Sequence, residues 1–362
     1  MFCTPYVKVD LNKVEKNIKV MEQKLSEMHI EHWPHIKSHK CIELAKMQIN
    51  AGAKGITCAN LSEAEIMSNA GINNILIGYT LIGKENIRRL GKLVNKNNIR
   101  TTIDSIKVAK DISDEGINIG KKIDVLIELD GGAHRGGIQP GKDVLDFANK
   151  VKSFPGINLI GLFAYVGQIY GLPNKESQKS LSKLEAKILL DMQSLLNNNG
   201  FNIKVLSGGS TLSSYYNHEI KGITESRAGN YIFGDMNDVH VGIYTPNDCA
   251  LKIRTTIISK PLPGYATIDA GSKSLTTDTS LSGKGYGYVV DKPNILIEKL
   301  NEEHGFLRYN PKEYNLQIGD ELEVIPNHCC VVANLFDYMY AFRDNKYIKL
   351  LKVDAKRTTN HF

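Results

Sequence analysis

DVLIELDGGAHRGGIQPGKDVLDFANKVKSFPGINLIGLFAY, residues 124–165, holds the repeating unit on which the fold reading rests. An apolar run at 124–130 reads as a strand, a helical pattern follows at 141–152, and a second run at 159–165 reads as the next strand. A helix between two strands carries the chain back to the starting edge, so the strands run parallel. The alternation extends in both directions. Strand-like runs fall near 34–38, 55–59, 75–79, 100–104, 203–207 and 223–227, and helical patterns at 61–70, 84–94 and 175–199 separate most of them. Roughly eight such units within about 230 residues predict a parallel (β/α)8 barrel. A doubly wound open sheet is the second architecture compatible with the alternation.

The ends of the chain read differently. Residues 5–10 look like a strand, and Leu11, Val14, Ile18, Met21 and Leu25 recur at helical spacing behind a capping Asp10. After residue 240, strands at 251–259, 265–270, 286–291, 295–299 and 321–325 follow one another without a long helix between them. That pattern predicts a mostly antiparallel β domain. The expected division is a barrel at 11–240 and a β domain at 241–362, joined by the strand within 1–10.

Composition narrows the function class. The 362 residues carry a net charge of +6, from lysines scattered along the chain. No basic run of five or more marks a nucleic-acid binder. No apolar run approaches the ~18 residues that span a bilayer. Met1–Pro5 lacks the order of a signal peptide, and six cysteines are thinly spread. These features predict a cytoplasmic, reduced protein with a small-molecule partner, no nucleic acid and no membrane.

Three segments carry candidate chemistry. Lys37, in Pro34-His35-Ile36-Lys37-Ser38-His39-Lys40, falls at the end of the first predicted barrel strand. Barrel active sites lie at that face, and partial desolvation there favours the neutral amine that attacks an aldehyde; the alternative is a surface lysine. Gly208-Gly209-Ser210-Thr211 lets the backbone approach a phosphate ahead of a short helix; the alternative is an ordinary turn. His328 and Cys330, two apart, would share one face of a strand, with Cys329 on the other. Imidazole plus thiolate suits zinc, and two ligands leave positions open for water or substrate. The alternative is a buried cysteine pair beside a structural histidine.

Pro-His-Ile-Lys-Ser-His-Lys resembles the Pro-His-x-Lys-Thr-His-Lys signature of the D-threonine aldolase and D-serine dehydratase family, pyridoxal phosphate (PLP) enzymes of the alanine-racemase-like fold. Ser38 replaces the threonine, and Trp33 stands where an arginine often precedes the proline. Further segments resemble the family in its own order: Gly55–Ala59 with Glu63 and Glu65, Leu129–Gly137, Ser207–Thr211, Glu225–Tyr231 with Asp235, Glu302–Gly305 and Pro326–Cys330.

The resemblance implies that Lys37 holds PLP as a Schiff base. It implies that Gly208, Gly209, Ser210, Thr211, Gly229, Asn230 and Tyr231 seat the phosphate. Arg135 would face the phenolic oxygen, with Tyr165 and Gln168 beside the ring; Gln168 stands where the family often has a histidine. His35 and His39 would be structural or tune the lysine. His328 and Cys330 would bind zinc or another divalent metal. Their His-x-Cys pattern resembles the dehydratase branch, whereas His-x-Asp resembles the aldolase branch. The implied activity is that of a homodimeric lyase on D-3-hydroxy amino acids. It would convert D-serine or D-threonine to a 2-oxo acid and ammonia, or cleave D-threonine to glycine and acetaldehyde. An amino-acid racemase of the same fold and a non-catalytic PLP-binding protein are the alternatives. A racemase needs no metal, so the His328–Cys330 pair favours the lyase.

Overall fold

The structure, a computed structural model, describes residues 2–356. The chain forms two compact units. Val20–Lys37 and Leu44–Gly229 make one; the segment up to Lys19, Ser38–Glu43 and Asn230–Lys356 make the other. Strand β1 (Tyr6–Asp10) leads into helix α1 (Leu11–Ser26).

In the first unit, strands and helices alternate: β2 (Glu31–His32), α2 (Ile42–Ala51), β3 (Ile56–Cys58), α3 (Leu61–Asn69), β4 (Asn74–Ile77), α4 (Lys84–Lys96), β5 (Asn98–Ile103), α5 (Ile106–Asn118), β6 (Ile123–Asp130), α6 (Lys142–Val151), β7 (Ile157–Tyr165), α7 (Lys175–Asn198), β8 (Val205–Gly208), α8 (Thr211–Tyr215) and β9 (Glu225–Ser226). The eight strands are parallel, in the order β2-β9-β8-β7-β6-β5-β4-β3. A bridge between His35 and Thr57 brings the two ends of that order together. The barrel is therefore the architecture, and the open doubly wound sheet is not.

Packing inside the barrel follows from side chains that alternate along the strands. Trp33, Leu76, Leu126 and Phe163 form a buried cluster. The Trp33 ring occupies the space beside Gly55, where an added Cβ would come within 2.3 Å of it. Arg100 lies 3.6 Å from the Trp33 ring centroid and donates to Glu225 at 2.6 Å, both residues being buried. Asn60, Ser105 and Asn174 start α3, α5 and α7 by accepting amide N–H bonds.

The first barrel strand differs from the expectation of 34–38. β2 ends at His32, and Ile36–Ser38 form a 3-10 turn. Pro34 has no amide N–H and so contributes one ladder bond fewer, and pairing beyond β2 is reduced to the His35–Thr57 bridge. Lys37 consequently sits on a turn beyond the strand rather than on the strand itself.

The second unit contains β1, α9 (Met236–His240), β10 (Leu251–Ser259), β11 (Tyr265–Ile268), α10 (Ser272–Leu275), β12 (Tyr288–Val289), β13 (Leu296–Leu300), β14 (Gly305–Arg308), β15 (Glu321–Ile325), α11 (Cys329–Leu335), β16 (Tyr338–Arg343) and β17 (Lys346–Lys352). Its sheet runs β13-β14-β11-β10-β1-β16-β17, with β15 pairing β10 and β12. Every pairing is antiparallel except that of β1 with β16. The N-terminal strand pairs with β10 and β16 in this sheet. Among the described residues no helix is long and apolar enough to cross a membrane.

The buried Arg100–Glu225 pair yields a stability prediction. Removing one partner strands the other charge in the barrel interior, which costs about 3–5 kcal/mol. Glu225→Ala should lose that much in urea unfolding followed by the fluorescence of Trp33, the chain's single tryptophan. A loss below about 1 kcal/mol would mean that the pair behaves as a solvent-screened surface bridge.

Candidate active site

Lys37 lies in the turn after β2, and its amide donates to His35 Nδ1 at 3.4 Å. Its Nζ is 6.0 Å from the centroid of the Tyr165 ring, and the Arg135 guanidinium is 5.0 Å from the same centroid. Tyr165 is the last residue of β7. In the next turn, Gln168 Nε2 donates to the Gly131 carbonyl at 2.8 Å, while its Oε1 is buried without a hydrogen-bond partner. The barrel thus brings Lys37, Arg135, Tyr165 and Gln168 to one end, past the C-termini of β6 and β7.

Asp130 shapes the loop that carries Arg135. Its carboxylate accepts the Gly132 and His134 amides at 2.9 and 3.0 Å, His134 Nδ1 at 2.6 Å and Gln139 Nε2 at 2.7 Å. Burial raises its pKa, but these bonds favour the ionised form more strongly and bring it down to about 2. At Gly137, with φ of +93°, an added Cβ would lie 2.6 Å from the Asp130 amide nitrogen, so the loop closes tightly on its own start.

Arg227, just past β9, is a site residue to which the sequence reading assigns no role. Its Nη1 donates to Ser207 Oγ at 2.8 Å and its Nη2 to the Ala164 carbonyl at 2.5 Å. The guanidinium stacks 3.6 Å from the Phe163 centroid. Burial lowers its pKa to about 10, against the carboxylates of Glu185, Glu128 and Glu225. Its sequence signal is its place in the family-like segment Glu225–Tyr231, which gives it no role.

At the expected phosphate loop, Gly208 ends β8 and Ser210 caps α8. Ser210 Oγ accepts the Ser213 amide at 3.1 Å, and Ser213 Oγ accepts the Ser210 amide at 3.2 Å. Gly209 has φ of +74°, and an added Cβ would meet Ser226 Oγ at 2.8 Å and Ser214 Oγ at 3.0 Å. That space is therefore occupied by protein atoms, and the Ser210 and Ser213 amides are satisfied by each other's hydroxyls. The unpartnered Gln168 oxygen and the Lys37 amine, at one end of the barrel, fit PLP.

Gly229 ends the barrel unit, and Asn230 and Tyr231 begin the other. Tyr231 is fully buried, and its carbonyl accepts the Tyr244 hydroxyl at 2.6 Å. The Asn230 side chain is committed elsewhere. Its Nδ2 donates to Asp235 Oδ2 at 3.0 Å and to Asp238 Oδ2 at 2.7 Å. Its Oδ1 accepts the thiols of Cys329 at 2.6 Å and Cys330 at 3.4 Å.

The His328–Cys330 segment corrects the strand expectation. His328 has an extended backbone and precedes α11, which starts at Cys329, without a side-chain bond to the helix end. Pro326 cannot continue the β15 ladder, and Asn327 Nδ2 instead donates to the Asp278 and Gly285 carbonyls at 2.9 and 3.0 Å. Cys329 accordingly does not point away from Cys330; both thiols meet the Asn230 oxygen. The histidine and Cys330 still meet. Burial opposes protonation of His328, but Cys330, Asp235 and Asp278 outweigh it and push its pKa up to about 10. Among the described residues no three His, Cys, Asp or Glu side chains are gathered to hold a metal by themselves. A metal would rest on His328 and Cys330, with water or substrate completing its shell.

Neighbouring predicted residues have backbone or surface roles. His39 Nδ1 accepts the Cys41 amide at 3.1 Å, and Ser38 Oγ lies 3.4 Å from Cys330 Sγ. Residues 301–304 turn between β13 and β14, where Glu303 pairs with Lys273 at 2.7 Å on the surface.

Comparison with known proteins follows this geometry. Residues 9–237 match the family described as alanine racemase, N-terminal domain, and residues 250–342 match a serine dehydratase domain. A D-threonine aldolase from Arthrobacter sp is 30% identical, over 98% of this chain and 92% of its own. A D-serine dehydratase from Dictyostelium discoideum is 26% identical, over 96% of each chain. A D-threo-3-hydroxyaspartate dehydratase, solved as a cysteine-to-alanine variant in the metal-free form, superimposes with a TM-score of 0.91 at 26% identity, over 97% of each chain. With this barrel, this sheet and these matches along its length, the chain belongs to the D-threonine aldolase and D-serine dehydratase family of alanine-racemase-like enzymes.

Proposed function

We propose that this protein is a PLP-dependent lyase that acts on D-3-hydroxy amino acids with the help of a divalent metal, Lys37 being the residue that holds the cofactor. The observation that carries the reading is the placement of the Lys37 amine beside the Tyr165 ring that Arg135 also faces. Relatives named D-threonine aldolase and D-serine dehydratase support the substrate class. The reading includes a cytoplasmic homodimer.

When bound, PLP supplies an electron sink that acidifies the substrate Cα. The chain's residues supply the rest. Arg135, fixed by the Asp130-braced loop, is a cation for the ring's phenolic oxygen. Tyr165 offers its ring to both Arg135 and the exposed Lys37. Gln168 can hydrogen-bond but not titrate, so it orients rather than transfers a proton. Lys37 Nζ is the base for the proton on Cα. His328 and Cys330 would hold the metal, which supplies Lewis acidity toward a β-hydroxyl. The resemblance of the His-x-Cys pair to the dehydratase branch supports dehydration over aldol cleavage.

Purified protein given D-serine or D-threonine should form pyruvate or 2-oxobutyrate with ammonia, and lose that activity on complete chelation. Glycine with acetaldehyde as the main products would assign the aldolase reaction instead. Activity that survives complete metal removal would exclude the metal's role. Lys37→Ala should lose the borohydride-fixable pyridoxyl adduct and about a thousandfold or more in kcat/KM; an undiminished adduct would refute the assignment.

Cys330→Ala offers a separate check. Its zinc affinity, measured by chelator competition, should fall about a hundredfold or more, with PLP content unchanged. Unaltered zinc affinity would place the metal elsewhere.

A further inference from the structure

Glu128, on β6, is an inward-facing acid that neither the sequence reading nor the mechanism above uses. Leu126, two residues earlier, belongs to the buried cluster with Trp33, Leu76 and Phe163. Side chains alternate along a strand, so Leu126, Glu128 and Asp130 share the inner face. The register with β7 sets Glu128 against Phe163 and Asp130 against Tyr165. Arg227 stacks on the first of these rings, and Arg135 lies over the second. Burial and the Asp104 carboxylate raise the pKa of Glu128, while Arg135 and Arg227 favour its charged form.

Three carboxylates face the loop that carries Arg135. Asp130 accepts the Gly132 and His134 amides, and Asp104, just past β5, accepts the Gly137 amide at 3.2 Å. These bonds fix the backbone of the loop. Glu128 lies as close to it. At Gly136, the residue after Arg135, an added Cβ would be 3.6 Å from Asp104 Oδ2 and 3.9 Å from Glu128 Oε1. The main-chain carbonyl of Glu128 accepts the Ile138 amide at 2.9 Å, which leaves its carboxylate to act on side chains. Of the two arginines that face it, Arg227 is secured by other means. It is buried, donates to Ser207 and Ala164, and has Glu185 and Glu225 as further counter-charges. Arg135 is exposed, with the Tyr165 ring centroid 5.0 Å away. Holding a long exposed side chain in one place costs rotamer entropy, and an adjacent carboxylate offsets that cost. A half-buried carboxylate is in turn stabilised by a cation beside it.

We propose that Glu128 is a positioning residue for Arg135, holding its guanidinium where the phenolic oxygen of the cofactor binds. The proposal rests on the PLP reading above. It predicts that Glu128 matters only to a cofactor that carries that oxygen, and only while Arg135 is present. An anion acting directly on the cofactor would repel the phenolate, so its removal would strengthen PLP binding. A purely structural role would weaken every ligand of the site alike.

The test measures, by equilibrium dialysis, the affinity of apoprotein for PLP and for 3-deoxypyridoxal 5′-phosphate, which keeps the aldehyde and the phosphate but lacks the phenolic oxygen. Glu128→Gln should weaken PLP about tenfold or more, the scale of one charge-assisted hydrogen bond, and leave the 3-deoxy compound within about twofold. In an Arg135→Met background the same substitution should cost PLP less than about twofold, because residues that act as a pair lose their effect together. Equal losses for the two compounds, a gain or no change for PLP, or an undiminished loss in the Arg135→Met background would overturn the proposal. If Glu128→Gln does not fold, Glu128→Asp, which withdraws the carboxylate by one methylene, gives the same comparison. Wild-type protein that binds neither compound would overturn the functional reading, and this proposal with it.

Discussion

The Thr57 amide donates to the Pro34 carbonyl at 2.8 Å, and the rest of the barrel depends on that closure. The segment before Lys37 lies between two strands. On one side Trp33 and His35 donate to the Ser226 and Ala228 carbonyls at 2.8 and 3.2 Å; on the other is β3. A sheet closed this way has no free edge. It also has a defined C-terminal face, where parallel strands end together. Lys37 reaches that face because the chain turns at Ile36–Ser38, directly after His35 makes its bridge to Thr57. A strand that continued through residue 37 would have kept the lysine backbone in the ladder.

Closure also concentrates charge in a place water does not reach. Arg100, Glu225, Arg227 and Glu185 are all buried within the barrel unit. The two arginines stack on Trp33 and Phe163, so each guanidinium exchanges solvent for an aromatic face. Glu128, on the inner end of β6, has its pKa raised by burial and by Asp104, against Arg135 and Arg227. Charges fixed in this way act more strongly than they would in water and need no rearrangement when a reaction moves charge. The second unit builds the complementary case. There the Asn230 carboxamide joins two buried aspartates to two thiols.

Local chemistry explains where reading the sequence succeeded. The strand and helix periods at 124–165 survive folding because each element buries the face its period defines. Lys37, Arg135, Tyr165 and Gln168 stand in motifs at or just beyond strand ends, and the barrel brings strand ends together. Cys329 was misjudged because a two-residue spacing means one face only on a strand. Pro326 ends that strand three residues too early for the rule to apply.

The sequence by itself determined the alternating pattern, the barrel it implies, the antiparallel sheet that follows and the family to which both belong. These are legible because hydrophobic period and glycine or proline punctuation are local properties. Tertiary structure alone decided the roles of Arg227 and Asn230. Each acquires its partners across tens of residues: Arg227 from Ser207 and Ala164, and Asn230 from Cys329 and Cys330. A buried polar group is defined by what satisfies it, and no local spacing encodes a partner that closure of the chain brings in from elsewhere.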